Sequence, residues 1–179
     1  KMEAKFGINV HTDSKMGGQI GTTIQNEPNT GYGVNLNNDH IDLFAKSGFF
    51  GKKPSQSLGF IANIKYQRLD GFFGNRFYAG TEKRGYINMI YDDFIGTTDH
   101  RIQSGASFTY VDITQSADSL SNNRVEMIPG VFGEYTFTGP RLTSVVGARY
   151  DQHLLFGGQF SPRVHLKYKV SERTDFRFT

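Results

Sequence analysis

Apolar residues recur at every second position along most of this chain. Pro162, Val164, Leu166, Tyr168 and Val170 alternate with Arg163, His165, Lys167 and Lys169. A strand points successive side chains to opposite faces, so this stretch predicts one apolar face and one basic face. Four such basic groups need water, while the opposite face needs an apolar medium. That combination fits a strand set between lipid and an aqueous lumen. The same period marks Met2 to Val10, Gly31 to Phe49, Leu58 to Tyr66, Tyr86 to Asp92 and Arg101 to Tyr110. It continues through Val131 to Phe137, Leu142 to Asp151, and Phe176 with Phe178. The pattern predicts about nine strands of roughly 9–13 residues. Asn37-Asn38-Asp39 reads as a bulge in one long strand in preference to a hairpin turn. Pro129 predicts an irregularity near the start of its strand, because proline cannot donate to a ladder.

The connections alternate in length. Gly51 to Gln56, Gly96 to Asp99, Gly139-Pro140 and Ser171 to Arg173 read as tight turns. Thr12 to Thr30, Asp70 to Thr81 and Thr114 to Arg124 read as longer loops, and Gln152 to Gln159 as a moderate one. Outer-membrane barrels show this alternation of short periplasmic turns with longer extracellular loops. Tyr66, Tyr110, Tyr135 and Tyr150 fall near strand ends, where an amphipathic ring rests at headgroup level, although soluble sheets share that placement.

Composition narrows the class. Of 179 residues only 37% are hydrophobic, yet there are 21 Gly, 16 Phe and 9 Tyr. That is poor material for a helical core and sufficient for strands that need an apolar residue at every second position. No run approaches the ~18 apolar residues of a transmembrane helix, which leaves a barrel open. Absence of cysteine removes disulfides, zinc ribbons and thiol catalysis. A net charge of +3 is too small and too dispersed to argue for nucleic acid.

One tract carries a resemblance. Val146-Gly147-Ala148-Arg149-Tyr150-Asp151, then Phe156-Gly157-Gly158, then Ser161-Pro162-Arg163-Val164-His165-Leu166-Lys167-Tyr168 is similar to the barrel of TonB-dependent outer-membrane transporters. There a strand of the form GxRYD, a short loop and a strand of the form SPRxxLKY follow one another. Over the whole chain the order of features resembles the Bacteroidetes-type receptors related to the cobalamin receptor. The resemblance implies an all-β, antiparallel transmembrane barrel in the Gram-negative cell outer membrane, with about twenty-two strands in all. Residues 1–179 would then be a partial barrel, with the plug domain and the remaining strands outside this sequence. The implied partners are the bilayer, the TonB complex acting through that plug, and a surface lipoprotein. The implied cargo is an iron chelate such as a siderophore complex, haem or a corrinoid.

No catalytic constellation emerges, and the chain reads as neither an enzyme nor the holder of a cofactor. His11, His40, His100, His153 and His165 are not spaced as metal ligands, and no nucleophile or phosphate-binding motif occurs. Lys65, Arg101, Glu134, Arg149, Arg163, His165, Lys167 and Lys169 are candidate lumen-facing residues, with Arg177 in the last strand. They form either a hydrated wall of paired charges or a basic lining that favours anionic cargo. Phe72, Phe73, Arg76, Phe77 and Tyr78 are candidate ligand-binding residues on an extracellular loop, where aromatic rings either clamp a bulky ligand or pack on neighbouring loops. Two other classes stay open: a passive pore or adhesion barrel, and a soluble β-sandwich binding module.

Overall fold

The computed structural model describes residues 2–19, 32–53 and 55–179. Among these residues, nine antiparallel strands lie in one sheet, in chain order. They are β1 (Met2–Gly18), β2 (Gly33–Phe50), β3 (Ser57–Phe73), β4 (Arg76–Phe94), β5 (His100–Ala117), β6 (Leu120–Thr138), β7 (Leu142–His153), β8 (Gly157–Ser171) and β9 (Thr174–Phe178). Each strand pairs only with its neighbours in sequence, and β1 and β9 are the edges of the described sheet.

Register turns the alternation into faces. Phe6, Ala45, Ala62, Ile87 and Phe108 form one continuous cross-strand row, and Ile8, Leu43 and Ile64 another. One residue out of step, Asn9, Asp42, Lys65 and Arg84 form a row on the opposite face. Nothing among the described residues covers the apolar side. Phe6 is 86% exposed and Phe160 and Phe176 are each 67% exposed, while the one buried hydrophobic residue described is Val111, on the polar face. The accessible surface is 12980 Å². A compact globular chain of 20.1 kDa exposes about 8,700 Å². A β-sandwich would bury one face against a second layer, and this sheet has none among the described residues. The sandwich alternative therefore fails. A face of this kind is stable only against an apolar medium.

The strands run longer than the apolar pattern predicts, 17 to 19 residues in each of the first six. Asp70 to Thr81 is no loop: β3 and β4 pair through to Phe73 and Arg76, leaving Gly74 and Asn75 as the turn. Gly74 has φ of 62°, as the first residue of a type II′ hairpin turn requires. Thr114 to Arg124 is likewise strand on both sides of Asp118 and Ser119. Thr12 to Gly18 extends β1, and residues 20–30 of that predicted loop lie outside the described residues. The reason is chemical. In these extensions Arg68, Asp70, Lys83 and Asp112 stand on the side that is apolar lower down. The strand continues while the apolar period that reveals it stops.

Two predicted irregularities are absent. β2 pairs with β1 and β3 without a register shift through Asn37-Asn38-Asp39. Their polar side chains are used across strands, Ser14 Oγ donating to Asn37 Oδ1 at 2.9 Å and Gln67 Nε2 to Asn38 Oδ1 at 2.7 Å. Pro129 pairs with Phe108 in unbroken register. It lies just beyond the last β6–β7 pair, Gly130 with Asp151, where a missing N–H can face an unpaired edge. The described register shift falls elsewhere, between Lys169 and Ser171. Close packing on the polar face uses glycine. A Cβ on Gly105 would lie 2.2 Å from the Met89 carbonyl oxygen and 2.6 Å from the Phe132 ring.

A polar wall and its candidate functional site

Register places Lys65, Arg101, Glu134, Arg149, Arg163, His165, Lys167 and Lys169 on one face of the sheet, with Arg177 opposite Lys167. Most of these charges have partners. Arg101 Nε donates to both Asp92 oxygens at 3.0 Å, and Gln103 Nε2 reaches the same carboxylate at 3.3 Å. Arg149 grips Asp151 with two bonds of 2.6 and 2.7 Å and donates to Ser107 Oγ at 2.8 Å. Arg163 lies 3.4 Å from Glu134, Lys167 3.2 Å from Asp175, and His165 Nδ1 2.9 Å from Thr179 Oγ1. A planar guanidinium gripping a carboxylate bidentately is held in orientation as well as neutralised. The charges on this face are therefore mostly paired, and do not form a uniform row of unpaired cations. The carboxylates escape a search for alternating cations because Asp92, Asp151 and Asp175 reach them from a neighbouring strand or from two residues away.

Two hollows open on this wall. One of 380 Å³ is lined by Asn88, Gln103, Phe132, Glu134, Arg149 and Arg163 among others. Phe132 lies across Gly105, and the Arg149 guanidinium stands 6.0 Å from its ring centre. Asn88 Oδ1 is shielded from solvent there without a hydrogen-bond partner. Gly130 keeps the network together, because a Cβ at that position would lie 2.1 Å from Asp151 Oδ1. The second hollow, of 350 Å³, lies near the turn end and includes Lys5 and Lys46, directly opposite each other across β1 and β2.

The aromatic candidates sit at a hairpin tip, and the tip divides them. Phe72 and Phe77 are cross-strand partners with ring centres 5.1 Å apart. Phe73, Arg76 and Tyr78 lie on the other face by the alternation of the same register. The five do not form a single clamp. The tip is tied to its neighbour by Asp118, whose Oδ1 accepts from the Phe77 N–H at 3.0 Å and whose carboxylate lies 4.0 Å from Arg76.

A family model described as "TonB dependent receptor-like, beta-barrel" matches residues 6–179. The chain belongs to this family. No curated protein and no solved structure matches it. TonB-dependent receptor barrels are outer-membrane transport proteins rather than enzymes, which agrees with the uncovered apolar face and the paired polar wall.

Two features of this TonB-dependent receptor barrel are not visible along the sequence. His153 ends β7, and its Nδ1 accepts N–H bonds from Leu155 at 3.0 Å and Phe156 at 3.3 Å. The neutral ring then carries its proton on Nε2, which faces Glu126 Oε2 at 3.6 Å on β6. His153 thus fastens the short β7–β8 turn to the taller strand beside it. The second feature is the meeting of His11 and His40, which register sets opposite each other on the polar wall with ring centres 5.1 Å apart. No three potential metal ligands converge among the described residues.

Proposed function

We propose that this chain is the wall of an outer-membrane transporter energised through TonB, which captures a scarce, bulky nutrient at the cell surface and passes it inward. The observation that carries the reading is the family match over residues 6–179 on a sheet whose two faces demand lipid and water. In this reading the turns at residues 51–56, 95–99 and 139–141 face the periplasm. The tips at Gly74-Asn75 and Asp118-Ser119 face outward, above the bilayer. Further strands close the sheet, and a plug domain fills the lumen against the paired charges of the wall. A surface lipoprotein would meet the outward tips.

The substrate class follows from the resemblance of the whole chain's order of features to Bacteroidetes-type receptors related to the cobalamin receptor, and comprises corrinoids, haem and iron chelates such as siderophore complexes. Uptake by cells carrying the full-length protein tests the proposal, with radiolabelled cobalamin, haem and a ferric chelate supplied separately. One cargo is expected to accumulate only in cells with functional TonB. Equal accumulation with and without TonB would identify a passive pore instead.

A further inference from the structure

We propose that His11 and His40 form a two-imidazole site for a transition-metal dication such as Cu²⁺, Ni²⁺ or Zn²⁺ on the polar wall. The pair comes from positions 29 residues apart and is assembled by the β1–β2 register, which makes the two residues direct partners. On the polar face their neighbours are Asn9 and Asp13 on β1, Asn38 and Asp42 on β2, and Gln67 on β3.

The separation of the rings fits shared coordination. A metal–nitrogen bond of about 2.0–2.1 Å, with roughly 1.1 Å from nitrogen to ring centre, puts each centre about 3.2 Å from the metal. Two such vectors opened by roughly 100–110° space the ring centres about 5 Å apart. The observed separation is 5.1 Å, with the planes tilted by 32° rather than stacked. Imidazole nitrogen suits copper, nickel and zinc and does not suit calcium or magnesium.

The surrounding groups define what kind of site this is. Asp13 is engaged with Lys15 at 2.8 Å, Gln67 with Asn38 at 2.7 Å, and Asp42 accepts from Asn63. None is offered as a third ligand, so two imidazoles hold the ion and water or another ligand completes its shell. Structural zinc sites are closed by four protein ligands. A site with open positions binds more weakly and exchanges readily, which suits a stopping point on a hydrated wall rather than a clamp for the fold. The other three histidines are differently engaged, His153 with its own turn, His100 with Tyr135 and His165 with Thr179. The site needs only the β1–β2 register, so its failure would leave the transport reading untouched.

Titration of the tag-free full-length protein in detergent with CuCl₂, followed by calorimetry, gives the stoichiometry and affinity. One ion per chain is expected, with affinity reduced at least tenfold in His11→Asn and, independently, in His40→Asn. Electron spin-echo modulation of the Cu²⁺ complex of the unmodified protein is expected to show two coordinated imidazoles, and this reading does not depend on any variant folding. A single imidazole in that spectrum, or a change below twofold in both variants, would overturn the proposal.

Discussion

Arginine moved along the apolar face of β3 tests how deep each position lies. Leu58, Phe60, Ala62, Ile64 and Tyr66 share that face. From Leu58 to Tyr66 the strand rises about 26 Å, and a tilt of about 40° reduces this to roughly 20 Å of height, close to the ~25 Å apolar band of such barrels. Ala62 is then nearest the midplane, and Leu58 and Tyr66 lie near the two interfaces. Arginine is expected to cost about 2–4 kcal/mol at Ala62 and about 0–1 kcal/mol at the two outer positions. Alanine variants at Leu58 and Tyr66 correct for the apolar side chain removed there. Arginine in place of Asn63, one residue away on the polar wall, is expected to cost less than about 1 kcal/mol. Reversible urea unfolding of the full-length protein in lipid vesicles reads all four. Equal costs at the three depths, or a cost at Asn63 matching that at Ala62, would refute the assignment of faces.

Three other perturbations probe the wall and its rims. Gly105→Ala pushes a methyl against the backbone oxygen of Met89 as well as the Phe132 ring, and overpacking of this kind costs about 1–3 kcal/mol in the same unfolding assay. Arg149→Met breaks the two bonds to Asp151 and the bond to Ser107, and because the pair is partly hydrated the expected loss is about 1 kcal/mol, read by unfolding of the variant beside an Asp151→Asn control. Asp93 stands beyond Tyr91 at the turn rim, where Gln56, Ser55, the Phe94 N–H and Tyr91 donate to it and hold its pKa at about 2. A depressed carboxylate pKa means stabilisation that is full above about pH 4 and lost as pH falls toward 2. Asp93→Asn is therefore expected to flatten the fall in stability across that window, measured by acid unfolding, and an unchanged slope would contradict the assignment.

The parts of the fold that face lipid were legible because lipid imposes a strict period. Val164, Leu166 and Tyr168 alternate with cations in sequence and do so in register. The extensions were not legible. Gln67 to Phe73 and Val111 to Ala117 carry Arg68, Asp70, Asp112 and Thr114 on the side that is apolar lower down, so hydrogen bonding across strands, not apolar alternation, keeps them extended. Asp70 to Thr81 reads as a loop along the sequence because its rings come in adjacent pairs, Phe72-Phe73 and Phe77-Tyr78, and do not alternate. In the wall, the cations were legible one strand at a time, but their carboxylates were not, because pairing such as Arg163 with Glu134 is a property of register. The meeting of His11 and His40 was hidden in the same way, as it depends on the register of β1 against β2.

Collision accessibility of spin labels placed singly from Ser57 to Phe73, in the full-length protein in vesicles, tests the central claim most directly. Oxygen partitions into lipid and a charged nickel chelate into water. Oxygen maxima are expected at the even positions from Leu58 to Tyr66 and chelate maxima at the odd positions between them. Beyond Arg68 both faces are expected to meet the chelate. Chelate access to both faces throughout, with no alternation from Leu58 to Tyr66, would contradict a lipid-facing sheet.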